Sequence, residues 1–150
     1  MTKSTRIITG YLGAIMLVPG TVKFFEPFKT FFTTQIDRSG LPFSTLTFWS
    51  GQLGEITVGL TLLAFLFLWE KITPSWAKKI FYGGNLAVTV IMLVALYVHL
   101  HPAVPAEVLP FEKKAPLLTV FTLLMVFLNV YLYRNAGRTI LRGKEVLGKI

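Results

Sequence analysis

The stretch GQLGEITVGLTLLAFLFLW, Gly51 to Trp69, decides the class of fold. Past its first few residues it is apolar enough to lie in hydrocarbon, yet it holds a carboxylate, Glu55. Three further runs share its apolar character, so that the set falls at roughly 7–25, 47–69, 77–100 and 115–133. Each is close to the length of about 20 residues that a helix needs to cross a bilayer. With no water to satisfy the backbone there, a helix is the form that satisfies itself. The sequence therefore predicts an all-α membrane protein: one domain over residues 1–150, with four transmembrane helices in an antiparallel bundle.

Composition agrees. Of 150 residues, 53% are hydrophobic and 15% charged, with a mean hydropathy of +0.64, whereas soluble domains carry about a quarter charged residues. Lys3 and Arg6 before the first run resemble the start of a signal peptide, but no A-x-A-like site follows, so a retained helix is expected. With the N-terminus inside, ten Lys and Arg fall on inner segments and five (Lys23, Lys29, Arg38, Lys113 and Lys114) on outer ones. That bias predicts both termini cytoplasmic, and the short loops and small size point to a bacterial inner membrane. The net charge of +8 suits a basic face against anionic lipid; no nucleic-acid-binding signature accompanies it. The absence of cysteine excludes disulfides, thiol relays and thiolate metal ligands.

The sequence also predicts a kink within the first span, three different connections between the spans, and a distinct tail. Pro19-Gly20 should kink the first helix. Residues 26–43, rich in phenylalanine, read as an interfacial or partly re-entrant hairpin. EKITPSW is a short turn holding its two spans antiparallel, and HLHPAVPAEVLPFEKKAP, with four prolines, reads as an extended, rigid outer loop. The tail 134–150 mixes basic and aliphatic residues, which fits either a short helix on the inner leaflet or a frayed polar end.

Ionisable groups within a membrane usually face the bundle interior and have a partner. Glu55 lies about 12 Å into the second span at the helical rise, with Gly51 and Gly59 one turn either side to admit a neighbouring helix. Lys23 is the expected partner, on the same face of the first span as Gly13 and Gly20, with Glu26 one turn away and able to share it. The pair is either a lock between the two spans or a polar site for a ligand headgroup or proton. Asn85 and Asn129 match in depth and form an expected structural pair. His99 and His101 stand where the third span ends; two residues apart they do not share a helix face, so no metal site is expected, and they join Lys23, Glu26 and Glu55 as ligand- or partner-binding candidates. No catalytic constellation and no cofactor motif is present.

The run SGLPFSTLTFWSGQLGEITVGLTLLAFLF, with YLGAIMLVPGTVKFFEPF before it, resembles the DoxX-like family of four-helix membrane proteins. The shared features are Gly20 and Lys23 late in the first span, the Gly40-Leu41-Pro42 turn, and Glu55 followed by Gly59. HLHPAVP and the fourth span are similar to the branch that includes NACHO, an endoplasmic-reticulum chaperone of nicotinic acetylcholine receptors. The resemblance covers most of residues 7–133 and leaves out the tail. It implies a binding or assembly module, chaperone-like, for a membrane-protein client or lipid. Because DoxX and DoxD proteins are associated with quinone-coupled thiosulfate oxidation, it also implies an alternative: a quinone-linked oxidoreductase subunit. A small transporter is a third reading, for which a homodimer would provide the room.

Overall fold

Thr2 starts the first helix: its side-chain oxygen accepts the Thr5 N–H at 3.2 Å, one of the partners that a helix start lacks. From there the structure, a computed structural model, describes the backbone of residues 1–147 and the side chains of residues 1–136. Helix α1 (Lys3–Val22) continues through Pro19. It is followed by α2 (Phe28–Arg38), α3 (Ser44–Leu68) with a 3-10 turn at Trp69–Lys71, and α4 (Pro74–Leu100). Two 3-10 turns, Ala106–Val108 and Pro110–Glu112, precede α5 (Leu117–Leu147). No strand occurs among the described residues.

Four segments are long and apolar enough to cross a membrane: Lys3–Val22, Ser44–Lys71, Pro74–Leu100 and Leu117–Ala136. The chain thus has the make-up of an integral membrane protein. These helices close a ring in which α1 packs on α3, α3 on α4, α4 on α5, and α5 back on α1. The outside of the ring is apolar, with Phe67, Leu86, Leu124 and Phe127 exposed, while Thr5, Thr9, Gln52, Glu55, Asn85 and Asn129 are buried inside. That inversion of the soluble pattern is what lipid as the outer solvent selects.

Within the ring, Leu12, Met16, Leu62 and Val88 form the central cluster. A second cluster of Phe65, Ala77 and Phe81 lies beside Trp69, Tyr82 and Tyr133, with Phe81 stacked on Tyr133 at 3.9 Å. Lipid tails are as apolar as leucine, so close van der Waals packing has to hold the helices together. The α1–α3 seam achieves it with glycine. A Cβ on Gly59 would stand 2.6 Å from the backbone nitrogen of Leu17, and one on Gly20 would stand 2.9 Å from Cβ of Glu55.

The connections differ from expectation. Residues 26–43 form no hairpin; they hold α2, then Gly40 at φ +67° and Phe43 at φ +52° turn the chain into α3. The aromatic run is amphipathic and finds partners on α3 and at the Ala106–Val108 turn. Nor is the proline-rich loop extended: Val104 and Leu109 are buried with Val98, and Lys114 Nζ donates to the carbonyls of His101, at 2.7 Å, and Val104. The first span is shifted toward the N-terminus, and the second and third begin three residues earlier than read. α5 does not break at residue 134; its backbone is helical to Leu147. The tail's side chains beyond residue 136, and residues 148–150, lie outside the described residues, and with them the inner-leaflet reading.

Candidate functional site

Lys23 caps the C-terminal end of α1, its N–H bonded to the Pro19 carbonyl at 3.2 Å. Its Nζ donates to both oxygens of Glu55, at 2.6 and 2.7 Å. The two side chains are only 17% and 11% exposed. On the other side Nζ stands 4.0 Å from the centre of the Phe32 ring, a cation–π contact contributed by α2. Glycine makes the convergence possible twice. Gly20 lets Glu55 approach α1, and Gly51, expected to face another spanning helix, instead makes room for Phe32, whose Cζ would be 3.2 Å from a Cβ there. The structure therefore brings Lys23 and Glu55 together and leaves Glu26 out. Glu26 turns back on its own segment and accepts the Thr30 hydroxyl at 2.6 Å and the Thr30 N–H at 3.3 Å, because the first turn of α2 has amides to satisfy.

The two histidines part company. His99 lies inside α4, is buried, and donates Nδ1–H to the Ala95 carbonyl at 2.8 Å. His101 ends α4, with its ring 5.6 Å from that of Tyr97, and its Nδ1 is buried with no hydrogen-bond partner among the described residues.

Lys23, Glu55 and His99 share one cavity of about 770 Å³, within the range of small-molecule sites, ~300–1,000 Å³. Its walls come from α1 (Met16, Pro19), α2 (Phe31, Gln35), α4 (Met92), α5 (Thr119) and the α4–α5 connection (Leu109). Val18, Phe28 and Phe111 on its rim are exposed, so it opens outward between α1, α2 and that connection. Pro19 has no N–H to offer the Ile15 carbonyl, which leaves a backbone acceptor on a residue that also lines the cavity. Gln35 is fixed by donating Nε2–H to the Val108 carbonyl. Thr119 is buried, and its hydroxyl makes no hydrogen bond among the described residues.

Asn85 and Asn129 lie in a separate layer that does not line the cavity. Asn129 donates to Asn85 Oδ1 and to Thr9 Oγ1, each at 3.1 Å, and Asn85 donates to the Phe81 carbonyl at 2.8 Å. All three side chains are buried and joined, so the layer is a register device across α1, α4 and α5.

Sequence reasoning missed Thr9, Gln35, Thr119 and Gln52. The first three carry no signal, since a helical Thr or a loop-proximal Gln is ordinary. Gln52 had one: it stands one turn before Glu55 on the same face. It is fully buried, and neither amide atom has a partner among the described residues. No group of three or more His, Cys, Asp or Glu able to hold a metal occurs among the described residues.

Comparison with protein-family models, with curated proteins and with solved structures finds no match.

Proposed function

We propose that the chain is a DoxX-like membrane module that binds a lipophilic molecule or a membrane-protein partner and acts in assembly rather than in catalysis. The cavity of about 770 Å³ carries this reading. It is apolar over most of its wall, and the polar groups deepest in it, among them the Lys23–Glu55 pair, His99 and Thr119, are placed to orient a ligand rather than to transform one. Burial of an ammonium and a carboxylate is costly unless they are paired, and their pairing leaves the site without net charge at its centre. The Gly20–Lys23 and Glu55–Gly59 features of the family resemblance lie along the seam beside this cavity.

The test is native mass spectrometry of gently solubilised protein, with lipid extraction from the same sample. A stoichiometric lipophile, retained by the natural chain and lost from Ala95→Phe, in which a ring enters the cavity, is the expected result. A chain recovered bare overturns the ligand reading, and one recovered with another polypeptide makes the partner the occupant.

A second reading, a quinone-linked oxidoreductase subunit, is favoured by the same cavity. A quinone ring fits its volume and apolar walls, and a quinone carbonyl can accept from the Thr119 hydroxyl; bound there, the quinone would supply two-electron chemistry. Absence of saturable binding of quinone analogues sinks it.

The same proposal extends to placement. The spans run antiparallel with both termini cytoplasmic, in a bacterial inner membrane, as the ten inner and five outer Lys and Arg favour. The cavity then opens in the outer half of the bilayer. Cysteines introduced at Lys3 and Lys113 and probed with an impermeant thiol reagent should label only at residue 113.

A further inference from the structure

We infer that the cavity takes an uncharged lipid whose polar end is a hydroxyl group: a phenol or an alcohol on a lipophilic body. This rests on the reading of the cavity as a ligand site and specifies the chemistry of the ligand.

Charge is decided first. The ionisable groups lining the cavity are Lys23, Glu55, His99, Glu107, Glu112 and Lys113. With the histidine neutral, two ammonium groups face three carboxylates, a balance of −1. At the centre, both oxygens of Glu55 are already engaged by Lys23, and the free side of the ammonium is covered by Phe32. A phosphate or carboxylate head would have to displace Glu55 from Lys23 and pass two carboxylates at the mouth. A cationic head finds no unengaged carboxylate at the centre.

Hydrogen-bond direction is decided next. A carbonyl only accepts, so the His99 nitrogen facing Ala95 carries the proton, and in the neutral ring Nε2 is an acceptor. His99 lines the cavity and is 7% exposed, and Nε2 makes no hydrogen bond among the described residues. Thr119 lines it too, is 4% exposed, and its hydroxyl is equally without a partner among them. A polar group without a partner in an apolar cavity favours a ligand that supplies one, and here two such groups, from α4 and α5, line one space. The complement of a lone-pair nitrogen and a hydroxyl is a group that donates and accepts at once. A ligand hydroxyl donates to His99 Nε2 and accepts from Thr119. A ketone, ester or oxidised quinone offers acceptors only and leaves Nε2 unserved. The space, far larger than a hydroxyl, takes the ring or first chain segment against Met16, Pro19 and Met92.

The experiment uses the full chain in phosphatidylcholine nanodiscs with three probes at equal mole fraction: 4-dodecylphenol, its methyl ether, and dodecyl phosphate. Binding is read as the rise in unfolding temperature and as probe retained in native mass spectrometry. The phenol is expected to bind at least about tenfold more tightly than the ether, the effect of one well-placed hydrogen bond to an acceptor in an apolar cavity, and dodecyl phosphate is expected not to compete. His99→Phe should bring phenol and ether close to parity, whereas Thr119→Val should weaken both and leave the phenol preferred, and continued binding of the ether to His99→Phe shows that this variant is folded. If phenol and ether bind the natural chain equally, or dodecyl phosphate binds best, the hydroxyl inference falls and the cavity reading survives. If none of the three binds, both fall.

Discussion

Lys23 grips Glu55 by both carboxylate oxygens, at 2.6 and 2.7 Å, and so fastens the end of α1 to the middle of α3. Removing one partner of such a pair leaves the other buried and uncompensated, whereas replacing both with apolar groups removes the desolvation cost as well. Glu55→Ala is therefore expected to lose about 3 kcal/mol or more in stability. The double variant Lys23→Met, Glu55→Leu should recover much of that. Reversible unfolding in mixed micelles measures both, and a double variant as unstable as the single would show that pairing is not what stabilises the seam.

Gly59 makes a sharper test of how α1 and α3 are held. Its missing Cβ faces backbone, the Leu17 nitrogen at 2.6 Å and the Gly13 carbonyl oxygen at 2.9 Å, which cannot swing aside. Gly59→Ala should cost about 1–3 kcal/mol, as overpacking does. Gly83→Ala, where nothing lies within 4 Å, should leave stability unchanged or raised. The same unfolding measurement separates the two.

Asn129 serves two helices at once, so its loss strands Thr9 and Asn85 together. Asn129→Leu is expected to cost about 1–3 kcal/mol, the range for leaving buried polar groups unpaired. Replacing Thr9, Asn85 and Asn129 together by Val, Leu and Leu should cost less than the single change. A triple variant less stable than Asn129→Leu would argue that the layer does more than satisfy itself.

Much of this was legible in the sequence, and the division has a physical cause. The spans, Lys23 with Glu55, and Asn85 with Asn129 announce themselves, because a charge or amide in an apolar run needs a partner and few are available. The glycine pattern located the seam for the same reason. What stayed hidden depends on meetings between distant segments. Residues 26–43 were read as an interfacial hairpin because helix α2 is short and its apolar face finds support only on α3 and the Ala106–Val108 turn. Glu26 looked available to Lys23 until the amides of α2 claimed it. The cavity wall draws Thr119 and Met16 from opposite ends of the chain, and no local pattern marks either.

Lys114 ties down the α4–α5 connection by donating to the His101 and Val104 carbonyls. Lys114→Met should raise amide hydrogen exchange across residues 101–116 severalfold, while exchange in the spanning helices stays unchanged, since Lys114 touches none of their packing. Equal protection in both chains would mean that buried Val104 and Leu109 hold the connection without it.

The Thr9–Asn129–Asn85 layer also has a consequence for biosynthesis. Chains enter the membrane from the N-terminus, and α1 and α4 would be in place before α5 emerges. Until Asn129 arrives, Thr9 and Asn85 lack the side-chain partners that the finished ring provides. The last helix is then a clasp: a nascent chain stopped before residue 117 lacks the one side chain that joins α1 to α4 through this layer.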